Sequence, residues 1–539
     1  MLRNTGILAA LTSLSRVLGL VREAVLFALF GAGGSILMDA YQAAFRIPNM
    51  LRDLFAEGAL SAAFVTTFAQ TAETDGEEAA WRLGRQLITA LAGVVAAITI
   101  LGVLAAPLLI DLMAGGFEKI PDEQYSVSKH SLAVRLTRIL WPFLLMMSLA
   151  SVWMGMLNAR NRFAAPAYGP VMFNLASILV GAPLAYLLDP SLGTRAIAVF
   201  ACGTLLGGAL QWLIQMPALR REGFRFRFAL PWREGILNPA FKRVLRLMAP
   251  AVVGLAGVQI NIFVNTHFAS HMEHGSISWL AAAFRFVHLP IALFGAAVST
   301  AAIPELSRAA ARKDNAEFRA LLKRALSFVA ILCIPSACGL AIIGKPLTRL
   351  LFERGQFLPE DTLQTAAALR FYAIGLAAYA AIKVTAPALY ALGDARRPAL
   401  VSLFSVGVNC LMSWLLGVHL GLGHRGLALS VSTVAVVNLT LLLWAARQHI
   451  PRLLGASFAR MLAKVVLASS AMSGAAWGAL RWLSSVANGS ALIEIAVLAA
   501  VVAISLAVYA AFCHALKLEE WNEVLQTLRR RFARKTPRA

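Results

Sequence analysis

Long apolar runs alternate with short polar breaks from one end of the chain to the other. Fourteen runs stand out, near 5–30, 36–68, 86–114, 133–157, 165–188, 195–217, 245–270, 277–303, 324–345, 364–391, 398–419, 424–446, 460–483 and 490–516. Each is about 20 residues or longer, the length a helix needs to cross a hydrocarbon core of roughly 30 Å. The runs are continuous and do not alternate, which excludes an outer-membrane barrel built from strands of about 10 residues. The pattern predicts an all-α polytopic membrane protein with about 14 transmembrane helices. Between the runs, 115–131 reads as a polar periplasmic loop and 305–323 as an amphipathic cytoplasmic helix.

Composition agrees. The chain is 539 residues long, 59% hydrophobic and only 14% charged. A soluble domain is about half apolar and about a quarter charged. The net charge of +22 invites a nucleic-acid reading, but its location argues otherwise. With the N-terminus inside, the inner loops hold most of the arginines, among them Arg82, Arg85, Arg160, Arg162, Arg220, Arg221, Arg225 and Arg227. The outer loops hold little beyond Lys119, Lys129, Arg354 and Arg425. That is the positive-inside bias, and it puts both termini in the cytoplasm. No nucleic-acid partner is needed to explain it. The tail, with Arg529, Arg530, Arg531, Arg534, Lys535 and Arg538, reads equally as topogenic charge or as a contact for anionic membrane lipids. All five cysteines lie in apolar runs without a CxxC pair, so buried thiols are expected and a metal site is not.

Two halves are visible. Ala43-Ala44-Phe45-Arg46 returns as Ala282-Ala283-Phe284-Arg285, and at the same offset Leu54-Phe55 meets Leu293-Phe294. Copies six spans apart keep the same membrane orientation, as in transporters whose site lies between two lobes. The expected organisation is two pseudo-symmetric six-helix lobes, 1–217 and 245–448, joined by a basic cytoplasmic linker at 218–244. Two C-terminal helices at 449–516 and a basic tail at 517–539 follow.

Several charges fall inside the apolar runs. Arg16, Arg22, Glu23, Asp39, Arg46, Arg52, Asp53 and Glu57 lie in the first two; Arg285 and Lys383 lie in later ones. An arginine at mid-bilayer costs from about 3 to more than 10 kcal/mol, so such charges face a wet cavity or a partner. On a helix Arg16 and Glu23 share one face, and Ser15 and Arg22 the next. In Arg46-Ile47-Pro48-Asn49, Pro48 cannot complete the helical ladder, and a broken helix at membrane depth is tolerated where it lines a cavity. Embedded cations outnumber embedded acids, which implies an anionic ligand. Arginine's planar fork suits phosphate, and several arginines suit a diphosphate. Lys383 offers a further point charge or snorkels to an interface. Enzyme motifs are poor: the P-loop-like Gly339–Lys345 run meets Pro346 where Ser or Thr is required, and no HExxH occurs. No catalytic residue and no cofactor are predicted.

Those same residues carry a resemblance. Ser15-Arg16-Val17-Leu18-Gly19-Leu20-Val21-Arg22-Glu23, Phe30-Gly31-Ala32-Gly33, Asp39-Ala40, Phe45-Arg46-Ile47-Pro48-Asn49, Arg52 and Phe55-Ala56-Glu57-Gly58-Ala59 look like the MurJ (MviN) family. It continues through Ser278-Trp279, Arg285, Pro290, Pro304-Glu305-Leu306-Ser307 and Lys383 with Pro387. These are bacterial lipid II flippases of the multidrug/oligosaccharidyl-lipid/polysaccharide exporter superfamily, serving peptidoglycan synthesis. The resemblance implies fourteen spans and alternating access across the inner membrane. It also implies a cationic cavity for the headgroup of lipid II, an undecaprenyl-diphosphate-linked disaccharide-pentapeptide. Carried over by position, the substrate-binding arginines fall on Arg16, Arg22, Arg52 and Arg285, with Arg22, Glu23 and Arg285 linking the lobes. Ser15, Asp39, Arg46, Pro48, Asn49, Glu57 and Lys383 fall on supporting or gate positions. Cell-wall synthesis or division proteins are further expected partners.

There are departures. Phe284 and His288 stand where relatives often carry acids, making the cavity more basic. Where some relatives bind sodium through Asp and Asn, this chain offers Asn261, Asn265 and Asn409 without an Asp. Coupling to membrane potential or a cation stays open. Two other readings stay open too. One is an exporter of another polyprenyl-diphosphate-linked saccharide or of a drug, although a drug exporter favours an acidic cavity. The other is a membrane glycosyltransferase or polymerase, which needs a carboxylate-rich extramembrane loop not evident here.

Overall fold

A computed structural model of the protein describes residues 2–53, 59–230, 238–451, 453–484, 491–521 and 523. Glu57 lies outside the described residues, as does most of the basic tail. Among the described residues the regular structure is all helix, with no strand. It divides into two compact units: Met1–Ser278 with Arg354–Leu358, and Trp279–Glu353 with Pro359–Ala539.

The first unit opens with α1 (Leu2–Phe30), α2 (Leu37–Arg52), α3 (Ala59–Thr74), α4 (Glu77–Leu104) and α5 (Ala106–Met113). It continues with α6 (Lys129–Leu140), α7 (Phe143–Ala159), α8 (Ala164–Ala176) and α9 (Ala182–Leu188). It closes with α10 (Thr194–Leu213), α11 (Met216–Arg221) and α12 (Pro239–Ser270). The unit boundary falls within α13 (Ser276–Pro290). The second unit holds the rest of α13, then α14 (Ala296–Ala311), α15 (Asn315–Phe352), α16 (Pro359–Ala391) and α17 (Arg396–Met412). Its last helices are α18 (Gly423–His449), α19 (Ala456–Ser484) and α20 (Ala491–Ala515).

Among the described residues, ten helices or helix pairs are long and apolar enough to cross a membrane. Helices α1, α12 and α19 lie outside that set but span 29, 32 and 29 residues, long enough on length alone. The run 36–68 holds two helices, α2 and α3. Helix α2 continues through Pro48 to Arg52, so the break expected at Pro48 does not occur there. Pro48 is buried within that continuous helix. The segment 305–323 is not a separate amphipathic helix. It is the end of α14, a turn at Lys313 with φ of 56°, and the start of α15, whose N-terminus Asp314 caps by accepting from Ala316 N and Glu317 N. Helix α12, assigned by the repeat to the start of the second lobe, packs on α3, α4 and α5. Repeat-defined lobes and packing-defined units are separate descriptions of the chain.

π-Helical turns interrupt the spans at Ser177–Gly181, Ile291–Gly295 and Ser413–His419. The second directly follows Pro290. In the first unit an aromatic core of Phe64, Phe68, Trp81, Trp153 and Phe224 joins α3, α4 and α7 to the segment after α11. Leu101, Leu104, Leu187, Leu403 and Leu492 are more than half exposed. Such a surface suits lipid as the solvent.

Candidate functional site

In the first unit, α1 packs on α8. Asn174 Nδ2 donates to Ser15 O at 3.2 Å and to Pro170 O at 2.9 Å, which fixes the rotation of α1 beside Gly19. That rotation leaves Arg16 exposed and Ser15 half-buried, while Arg22 and Glu23 turn inward. Arg22 Nη2 donates to Glu23 Oε1 at 2.8 Å, with 13% of the arginine side chain and 3% of the glutamate exposed. The guanidinium sits 4.9 Å from the centroid of the Phe173 ring. A carboxylate and an aromatic face together hold one arginine at a set position inside a 29-residue helix.

At the end of α2, Arg52 donates to Asp53 Oδ1 from Nε at 3.2 Å and Nη2 at 2.8 Å. The charge of Arg52 is thus partly offset by its neighbour. Arg46 and Asn49 are half-buried about two turns and one turn before Asp53, respectively.

The densest polar cluster surrounds Asp39, 1% exposed at the start of α2. Its Oδ1 accepts from Ser278 N at 2.9 Å and Ser278 Oγ at 2.6 Å. Its Oδ2 accepts from Lys129 Nζ and from Gly275 N, both at 2.8 Å. One carboxylate therefore caps the N-terminus of α13, where N–H groups lack helical partners and favour negative charge. Lys129 is 5% exposed, lies 4.7 Å from the Phe117 ring centroid and reaches His274 Nδ1 at 3.4 Å. Around it, His274 Nε2 lies 3.6 Å from Glu118, and Asp111 meets Lys119 at 2.9 Å and His130 at 3.1 Å.

The end of α1 is held by Arg354–Leu358. Gln356 N donates to Ala28 O at 2.9 Å, and Phe357 meets Phe27 edge-on at 5.2 Å. Gly31 and Gly355 face this contact with φ of 69° and 59°; a Cβ on Gly355 would lie 2.2 Å from Ala28 O.

In the second unit, Arg285 is half-buried on α13. Helix α13, the π-helical turn and α14 run along α16 through a series of contacts. Trp279 Nε1 donates to Asp361 Oδ1 at 2.8 Å, Phe284 meets Tyr372 at 5.4 Å, and a Cβ on Gly295 would meet Ala380 Cα at 3.1 Å. Ser299 Oγ then donates to Lys383 O at 2.7 Å. Both partners advance along the sequence together, so the helices run parallel. Lys383 contributes its backbone carbonyl here, and its side chain is exposed. His288 is also exposed.

Sequence reasoning singled out Arg22, Glu23 and Asp39, and the structure buries all or part of each. It missed Lys129, read as an outer-loop charge, and Asp361. A buried lysine looks no different from a topogenic one in sequence. Asp361, in the first turn of α16, resembles an ordinary helix-start acid. No group of three or more His, Cys, Asp or Glu among the described residues is arranged to hold a metal.

The family model of the lipid II flippase MurJ matches residues 27–495. The lipid II flippase MurJ of Burkholderia cenocepacia is 36% identical over 438 residues, covering 81% of this chain and 82% of that protein. The probable lipid II flippase MurJ of Rhizobium meliloti is 35% identical over 480 residues, covering 87% and 85%. A solved lipid II flippase MurJ in an inward closed conformation superposes with a TM-score of 0.73 at 26% identity, covering 94% of this chain and 99% of that one. An inward-facing multidrug transporter of the MATE family and MOP superfamily shares the fold, with a TM-score of 0.66 at 15% identity over 82% of this chain and 97% of that one.

Proposed function

The chain belongs to the MurJ lipid II flippase family, and from that membership we propose how it works. It carries lipid II from the cytoplasmic to the periplasmic leaflet of the bacterial inner membrane by alternating access. Both termini lie in the cytoplasm, following the distribution of positive charge. The headgroup diphosphate is held by arginines, with Arg22 and Arg285 making the principal contacts. The polyprenyl tail stays in lipid, so the protein moves only the polar end across the barrier.

The observation that carries this reading is the setting of Arg22. A cation inside an apolar helix is retained only for a partner or a ligand. Glu23 engages one of its nitrogens at 2.8 Å. A guanidinium carries five N–H donors, so this contact aims the group without exhausting it. Arg285 is likewise half-buried in a membrane-length helix. Arg52 is partly neutralised by Asp53 and Arg16 is exposed, so both serve as secondary contacts. Binding the diphosphate offsets repulsion among these cations. That favours whichever state brings them to the headgroup, and this differential affinity drives the switch.

The test is reconstitution. Purified protein in vesicles should expose labelled lipid II on the opposite leaflet without polymerising it. Polymer formation, or no transfer above protein-free vesicles, would overturn the reading.

A further inference from the structure

The proposed function gives Arg285 a task but does not explain what holds it in place. Trp279, six residues earlier on α13, is 4% exposed, and its indole donates to Asp361, 2% exposed. The His424 ring lies 5.0 Å from the indole, and His424 Nε2 is 3.3 Å from Gln364 O. The start of α13 is therefore gripped by the first turns of α16 and α18. The contacts beyond it along α16 are of another kind. Phe284 packs on Tyr372 and Tyr379, and Gly295 lies against Ala380. Such apolar contacts tolerate small sliding and rotation. A hydrogen bond to a buried acceptor is directional and fixes both.

We propose that Asp361 is a positioning residue for lipid II transport: through Trp279 it sets the rotation and height of α13, and with them the place of Arg285. Six residues advance about 9 Å along a helix, so a fixed Trp279 determines where the guanidinium begins. Burying a carboxylate is costly, and an acceptor at this place restrains α13 in a way that an apolar residue of similar size does not. The inference rests on Arg285 contacting the diphosphate.

Two measurements separate this inference from that reading. In the first, Arg285→Cys protein is labelled with a thiol reagent, and the modified peptide is followed by mass spectrometry with and without Asp361→Ala. The labelling rate should change severalfold. An unchanged rate would overturn the positioning role. In the second, flipping in vesicles is measured against lipid II concentration. Asp361→Ala should raise KM by about tenfold, the lower end for a lost hydrogen bond to a charged group, with a maximal rate near wild type. Asp361→Asn keeps the acceptor and should restore most of the affinity. In an Arg285→Ala background, Asp361→Ala should add nothing further. Full additivity, or failure of Asn to rescue, would make Asp361 a structural buttress only. A changed labelling rate combined with normal KM for Arg285→Ala would instead sink the assignment of Arg285 to the substrate.

Discussion

Asp39 and Ser278 occupy equivalent places in the internal repeat, and they bind each other. The offset of 239 residues that carries Arg46 onto Arg285 also carries Asp39 onto Ser278. One copy supplies a carboxylate where the other supplies the hydroxyl and N–H that it accepts, at 2.6 and 2.9 Å. At that offset the two halves of the sequence carry a complementary pair. Lys129, 2.8 Å from the same carboxylate, balances its charge.

Removing one member of such a buried pair leaves the other uncompensated. Asp39→Ala should lower unfolding stability by about 3–5 kcal/mol, and Lys129→Met by a comparable amount. The double variant Asp39→Ala with Lys129→Met should be less damaged than the two losses added together. Thermal unfolding in detergent, arranged as a double-mutant cycle, checks this. Simple additivity would mean that the two groups act independently.

This pair also marks how far the sequence was legible. Apolar periodicity revealed the helices, because lipid demands long continuous runs. It did not reveal that 36–68 holds two helices or that 305–323 is shared between α14 and α15, since a local turn such as that at Lys313 leaves little trace in hydropathy. The embedded charges of α1 and α2 were conspicuous because lipid makes them expensive. Lys129 and Asp361 were not, because each stands near the end of an apolar run, where charge is ordinary. Only the fold reveals that both are buried.

The α1 terminus offers a steric test. Gly355 has positive φ and backbone 2.2 Å from where a Cβ would lie, whereas Gly421 has positive φ with nothing within 4 Å. Gly421→Ala should cost only the left-handed backbone penalty of about 1–2 kcal/mol. Gly355→Ala should cost clearly more, because Arg354–Leu358 must move away from Ala28. Equal shifts in melting temperature would contradict the contact.

Acid should act at the loop between α16 and α17. Burial pushes the Asp394 carboxyl up, but hydrogen bonds from His449 and Arg397 N, with the charges of both residues, outweigh it and hold the group below its ordinary value. A depressed carboxylate contributes stability that is complete above its unfolded pKa, about 3.9, and is lost as pH falls through the folded value. Melting temperature measured from pH 6 down to pH 3 should fall more steeply for the native chain than for Asp394→Asn. Identical slopes would mean that this cluster contributes nothing.

The central claim is that arginines within the spans hold the diphosphate of lipid II. Its most direct test is the dissociation constant of lipid II for purified Arg22→Ala, Arg285→Ala and the double variant, with normal folding verified by thermal melting. Each single replacement should weaken binding by about tenfold or more, as expected for a lost charged hydrogen bond, and the double variant should bind more weakly still. Native affinity with both arginines replaced would contradict the account.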